Sequence, residues 1–206
     1  MALGEEKLRD LHLWTMLGLG VSGAYLLGSV PCAILVSRLC KLPDPRSQGS
    51  GNPGATNVLR VGGRFPALIT LLGDVLKGFV PVMLIKLATP NPWVISAVML
   101  AAVLGHLFPI FLKFQGGKGV ATALGALWGL TPLLGGIFVL VWLGVFVLFR
   151  ISSISSLLAI VSMPFAAYWL LDKRYGVVLS VLALLIIWRH RSNIYRLWKG
   201  KESSVR

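Results

Sequence analysis

Three short polar segments of this chain combine residue types that bind anions. The first is Gly49-Ser50-Gly51-Asn52-Pro53-Gly54-Ala55-Thr56-Asn57-Val58-Leu59-Arg60. Its glycines let the backbone approach a ligand closely and take positive φ, and successive N–H groups in such a turn form an anion nest. Ser50, Thr56 and Asn57 add side-chain donors, and Arg60 adds a guanidinium fork matched to phosphate. The segment lacks the G-x-x-x-x-G-K-[ST] pattern of a Walker A loop. The second segment is Gly105-His106-Leu107-Phe108-Pro109 followed by Phe114-Gln115-Gly116-Gly117-Lys118-Gly119-Val120-Ala121-Thr122. Gly116, Gly117 and Gly119 flank Lys118 just before an apolar stretch, and a helix starting there presents free N–H groups and partial positive charge to an anion. The third segment is Trp188-Arg189-His190-Arg191-Ser192-Asn193-Ile194-Tyr195-Arg196-Leu197. On one continuous helix, Arg189, His190, Asn193 and Arg196 fall within an arc of about 120°.

Other chemistries find few residues to work with. No C-x-x-C or H-E-x-x-H pattern occurs and the chain has three histidines, which argues against a zinc site. No G-x-S-x-G elbow occurs, and seven Asp and Glu are a thin stock for a two-carboxylate mechanism. Anion-binding groups are plentiful and bases are few. Cys32 and Cys40 are too few for a disulfide framework and read as small packing residues.

The elements that must position these residues are membrane helices. The 206 residues are 56% hydrophobic and 13% charged, with a mean hydropathy of +0.80. Soluble domains carry about 25% charged residues, so a soluble enzyme is excluded, and so is a disordered chain, which needs low hydrophobicity and high charge. The formal charge of +13 points to a cytoplasmic membrane face and an anionic ligand, with no call for nucleic acid. Charge-free stretches at 11–37, 87–112, 119–149, 151–171 and 175–188 set the spans. The first reads as one span, Leu13 to Val36, and not as a signal peptide, because its leading segment is not positive. The polar stretch Arg38–Arg64 cannot lie in lipid. A second span covers Phe65–Leu87 and holds Asp74 and Lys77, an i,i+3 pair on one face that supports the polar site from behind. His106, one turn before the interface, joins them as a supporting residue.

A third span covers Trp93–Leu112, after the breaker Thr89-Pro90-Asn91-Pro92. Thr131-Pro132 and Gly135-Gly136 divide the next stretch into a short helix, 120–130, and a span, 133–149. The short helix reaches only about 16 Å. Spans at 152–171 and 175–190 complete an all-α integral membrane protein of about seven transmembrane helices, one domain over 1–206 with a loose polar tail at 200–206. With the N-terminus outside and the C-terminus cytoplasmic, 14 of the 20 Lys and Arg fall on the inside, five outside, and Lys77 within the membrane. All three polar segments then gather at the cytoplasmic interface, as a reaction between a water-soluble and a lipid-soluble substrate requires. The residues alone also leave open an organophosphate transporter, which would hold its charges at the midplane, and a non-catalytic lipid-binding protein with a basic juxtamembrane helix.

Taken together, GSGNPGATNVLR at 49–60, GHLFP at 105–109, GGKGVAT at 116–122 and HRSNIYRL at 190–197 resemble the bacterial acyl-phosphate-dependent glycerol-3-phosphate acyltransferase family in order and spacing over nearly the whole chain. Asp74-Val75-Leu76-Lys77-Gly78 is similar too, while Gln115 stands where members often carry a basic residue. The resemblance implies transfer of a fatty acyl group from acyl phosphate to the sn-1 hydroxyl of glycerol 3-phosphate. The products would be 1-acyl-glycerol 3-phosphate (lysophosphatidic acid) and inorganic phosphate, in the first acylation of phospholipid synthesis. It places Ser50, Arg60, Lys118, His190 and Asn193 in the catalytic site. Gly49, Gly51, Asn52, Gly54, Thr56, Asn57, Gly117, Gly119, Arg189 and Arg196 would bind the phosphates. No metal or cofactor is implied. The expected setting is the bacterial inner membrane, with membrane lipid around a monomer and the site at the cytoplasmic face. Lys118 and Arg60 are assigned to phosphate and transition-state charge, and Ser50, His190 and Asn193 to orienting glycerol 3-phosphate. The proton acceptor is either His190 or a substrate phosphate.

Overall fold

The computed structural model describes residues 2–204, with side chains described at 11 and 13–204. Ten α-helices follow one another in this region, with no strand among the described residues. They are α1 (Ala2–Gly28), α2 (Cys32–Leu39), α3 (Ala55–Gly62), α4 (Arg64–Ala88), α5 (Pro92–Leu107), α6 (Val120–Leu130), α7 (Pro132–Phe149), α8 (Ser152–Leu170), α9 (Lys173–Arg189) and α10 (Arg191–Trp198). A short 3₁₀ turn at Ile110–Leu112 follows α5.

Side chains cap the starts of α5, α7 and α9. Asn91 accepts a hydrogen bond from the Trp93 N–H at the start of α5, and Asp172 does the same for Arg174 at the start of α9. Pro92 and Pro132 sit in the first turns of α5 and α7, where a missing N–H costs nothing. The expected break at Thr131-Pro132 is present, but Gly135 and Gly136 lie within α7 and do not break it. Glycine only lowers helix propensity, and Gly135 earns its place by packing against the Trp128 ring with no room for a methyl group.

Two departures from the expected spans matter for the site. The first span is interrupted: α1 ends at Gly28 and α2 begins at Cys32, with Ser29-Val30-Pro31 between. Proline removes a ladder N–H, and the Val30 carbonyl at this break accepts a hydrogen bond from Lys77 Nζ at 2.9 Å. The last span ends near 190 as expected, but its helix does not run on through the third polar segment: α9 and α10 meet at a 60° bend at His190.

Among the described residues, five helical segments are long and apolar enough to cross a membrane: Leu13–Leu39, α4, Pro92–Leu112, α7 and α8. The bent pair α9–α10 makes a sixth, and α6 is a shorter apolar helix. The packing is apolar at the centre and, unlike a soluble protein's, on much of the outer surface too. Val98, Ala102, Val103 and Leu107 of α5 are buried at the centre, whereas Leu140, Val147 and Leu148 of α7 and Trp169 of α8 are exposed on the outer surface. The closest crossing joins α4 and α6. A methyl group at Gly78 would collide with the Thr122 carbonyl, and one at Gly125 with the Val75 carbonyl. Small residues at such crossings let backbones approach where lipid offers no hydrophobic drive. This contact holds the short α6, and therefore Lys118 at its entrance, against α4.

Candidate active site

The Gly49–Arg60 segment folds as a loop leading into α3, and Asn57 organises it. The Asn57 amide donates to the carbonyls of Pro45 (2.7 Å) and Gln48 (3.0 Å) and accepts from the Ser50 N–H (2.8 Å). Gly49 and Gly51 take positive φ, +60° and +69°, on either side of Ser50. The loop is thus pinned so that Ser50, Asn52, Gly54 and Thr56 line a cavity, with Arg60 one turn further along α3. Asn57 also reaches the cavity wall, but its amide groups already serve the loop.

Lys118 enters the same cavity from the loop before α6, with Gly119 beside it at φ +85°. Burial pushes the Lys118 ammonium down from its usual 10.5 to about 8; Glu202 opposes the shift, and Arg196, Arg60 and Arg189 add to it. At neutral pH it is a partly desolvated cation, the kind whose field on an anion is strongest.

His190 occupies the bend between α9 and α10. Its Nδ1 donates to the Ile186 carbonyl at 2.8 Å. Since a carbonyl can only accept, that contact places the proton on Nδ1 and leaves Nε2 with the lone pair. Asn193 follows on α10, 4% exposed, with its Oδ1 buried and unpartnered. The bend replaces the single helical face read from the sequence: His190 and Asn193 line the cavity, while Arg189 and Arg196 turn to other partners. Arg189 binds the Gly116 and Gly117 carbonyls, and Arg196 Nε donates to Glu202 at 2.6 Å.

The cavity measures about 250 Å³ and opens at the end of the bundle where α5 and α9 finish and α6 and α8 begin. Ser50, Arg60, Lys118, His190 and Asn193 all line its polar end. Leu71 of α4, Leu124 of α6, and Phe138, Val139, Trp142 and Leu143 of α7 form an apolar wall. Behind the polar end lie Asp74, Lys77 and His106. Lys77 Nζ pairs with Asp74 Oδ1 at 2.8 Å, and His106 Nδ1 stands 3.6 Å from the same oxygen. Asp74 and His106 also contribute to the cavity wall. Gly49, Gly51, Gly117 and Lys77 shape its surroundings without lining it.

Two groups at the site escaped sequence reasoning. Ser152, Ser153 and Ser156 bring the start of α8 to the cavity, and Ser152 Oγ lies 3.3 Å from Thr56 Oγ1. Glu202 comes from the tail expected to be loose. Residues 201–204 have no regular secondary structure, yet the Glu202 carboxylate accepts from Asn193 Nδ2 (2.5 Å), Arg196 Nε (2.6 Å) and Ser153 Oγ (2.9 Å). Burial disfavours its charge, but these donors outweigh burial and hold the carboxyl below its usual range. The available signal was a lone acidic residue in a basic tail; the serines on α8 read as ordinary apolar-helix residues.

The glycerol-3-phosphate acyltransferase family model matches residues 19–200. The chain belongs to the glycerol-3-phosphate acyltransferase family. A relative bearing that name from Thioalkalivibrio sulfidiphilus (strain HL-EbGR7) is 56% identical over 186 residues, covering 90% of this chain and 92% of the relative. Another, from Francisella philomiragia subsp. philomiragia, is 50% identical over 182 residues, covering 88% and 89%. The crystal structure of PlsY (YgiH), an integral membrane glycerol 3-phosphate acyltransferase, in its glycerol 3-phosphate form superposes with a TM-score of 0.88 at 39% identity, covering 92% of this chain and 96% of that one. Its lysophosphatidic acid form gives 0.86 at 38% identity, covering 92% and 95%. The protein is accordingly a membrane glycerol-3-phosphate acyltransferase, and the cavity is the candidate site of its reaction.

Proposed function

We propose that this acyltransferase takes its acyl group from an acyl phosphate and delivers it to the sn-1 hydroxyl of glycerol 3-phosphate. The observation that carries the reading is a single cavity with cations and hydrogen-bond donors at one end and an apolar wall at the other. Acyl phosphate is a mixed anhydride and already activated, so no enzyme nucleophile is needed. In keeping with this, no hydrogen bond joins Ser50 to His190 among the described residues. The sn-1 oxygen attacks the acyl carbonyl, the carbonyl oxygen gains charge, and the anhydride C–O bond breaks to release inorganic phosphate. The hydroxyl proton passes to a substrate phosphate oxygen, which suits a site poor in carboxylates. Lys118 and Arg60 stabilise the phosphates and the developing charge. Asn193 Oδ1, a buried acceptor without a donor, receives a glycerol hydroxyl, and Ser50 and His190 Nε2 orient the same molecule. The acyl chain lies along Leu71, Leu124 and Trp142.

The seven-crossing arrangement, with α6 as a short crossing, the N-terminus outside and the site at the cytoplasmic face of a bacterial inner membrane, belongs to the same reading, as does a monomer. It is supported by the bias of Lys and Arg toward the cavity end. Purified protein is incubated with palmitoyl phosphate and glycerol 3-phosphate, following phosphate release and product regiochemistry. Phosphate release that depends on glycerol 3-phosphate, with 1-acyl product, is expected. Equal product from palmitoyl-CoA would overturn the donor, and 2-acyl product the position.

A further inference from the structure

The loop that presents Lys118 is held at both backbone groups of Gly116 and of Gly117. The N–H groups of Gly116 and Gly117 donate to the carbonyls of Leu107 and His106, at 3.2 Å each, at the end of α5. Their own carbonyls point the other way and both accept from Arg189. Arg189 Nε reaches Gly117 at 3.0 Å, and its terminal nitrogen reaches Gly116 at 2.5 Å. The guanidinium is flanked by the rings of Phe108 and Trp188, at 5.8 and 5.9 Å. The His106 imidazole packs on Gly117 so closely that a methyl group there would collide with it. The loop therefore sits between α5 and α9 with no slack.

The position of Arg189 in the chain gives this clamp its meaning. It is the last residue of α9 and directly precedes His190, while Gly117 directly precedes Lys118. One side chain thus ties the backbone beside Lys118 to the backbone beside His190, across 72 positions of sequence. Its donors on that face are engaged by carbonyls, and it does not line the cavity. We propose that Arg189 is a positioning residue of the acyltransferase, whose guanidinium fork fixes Lys118 relative to His190 and Asn193. Lysine cannot replace it, because an ammonium is a point charge and the site needs a planar fork spanning two carbonyls. This inference rests on the reading of Lys118 as a charge-stabilising residue.

A double-mutant cycle on the full-length enzyme in nanodiscs tests it. Arg189→Gln alone should lower kcat by at least about tenfold, since a misplacement near 1 Å can cost more than that. The same change in a Lys118→Ala background should alter kcat by less than about twofold, because Arg189 acts through Lys118. Arg189→Lys should stay close to Arg189→Gln. Multiplying effects would overturn the proposal. With a raised KM for a substrate they would make Arg189 a ligand, and with a lowered melting temperature a general stabiliser. Full activity in Arg189→Lys would overturn it as well, because charge alone would then suffice. Wild-type release from palmitoyl phosphate is read in parallel. If the wild type transfers acyl only from another donor, the acyl phosphate reading fails and the cycle is read with that donor.

Discussion

Burial tunes Lys118 in the direction the proposed chemistry needs. Its pKa, pushed down to about 8, means it is charged below that pH and neutral above it. The rate should therefore fall as pH rises through about 8, and the falling limb should vanish in Lys118→Arg, whose charge persists. Lys118→Ala should lower kcat/KM by at least about 10²-fold, the usual loss for one charge-stabilising donor; near-normal turnover would remove it from the site. His190→Asn keeps a hydrogen-bonding group but cannot take a proton. With a substrate phosphate as acceptor, it should raise KM for glycerol 3-phosphate and largely retain kcat. Glu202 acts in the opposite electrostatic sense. Its folded pKa is depressed, so its contribution to stability is present above the ordinary carboxyl range and lost as pH falls through the folded value. Glu202→Gln should reduce stability by about 1.5–3 kcal/mol, the range for a hydrogen bond to a charged group. Thermal unfolding should also show a weaker acid dependence.

At the scale of elements, the breaks and the crossings do the positioning. The helix boundaries at Pro92 and Thr131-Pro132 were legible because proline effects are local. The break at Ser29–Pro31 was not, since it interrupts a run whose hydropathy reads as continuous, and the bend at His190 was not, since a helix can run on from an apolar into a polar segment. Each is useful: one turns a carbonyl to Lys77, and the other aims His190 and Asn193 while diverting Arg189. The α4–α6 crossing makes a separate prediction. Gly125→Leu must force α6 off the Val75 carbonyl. Overpacking of this kind costs about 1–3 kcal/mol, and displacing α6 displaces Lys118. A lower melting temperature and a loss of activity larger than the loss of folded protein are expected.

Across the whole molecule, the cavity lies at one end of the bundle, so its sidedness is testable. After Cys32 and Cys40 are replaced by serine, a single cysteine at position 50 should react with an impermeant maleimide in inverted vesicles, and none at positions 50, 118 or 193 should react in intact spheroplasts. Reaction from outside at any of them would overturn the orientation. The polar and apolar ends of the cavity suit a donor held partly in lipid and an acceptor arriving from water. The same end of the bundle carries Arg60 and Lys118 in the cavity lining and Arg189 and Arg196 beside it, so on the proposed reading the excess positive charge serves the site as well as orientation.

By itself, the sequence determined the membrane character and most helix boundaries, and its resemblance to one family singled out the five residues that line the polar end of the cavity. Hydropathy, proline and glycine act over a few residues, and three polar segments in an apolar chain have few places to go. Only the tertiary structure decided what each charged or amide group does there. Arg60 and Arg189 are the same residue type in similar basic settings. One lines the cavity and the other grips two backbone carbonyls 72 and 73 positions away. Asn57 pins a loop, while Asn193 keeps an unpartnered oxygen. Glu202 moved from an expected loose tail to an anchor for Asn193 and Arg196. The physical reason is common to all: a donor's partner is set by which distant backbone or side chain folding brings within about 3 Å, and local sequence carries no record of that neighbour.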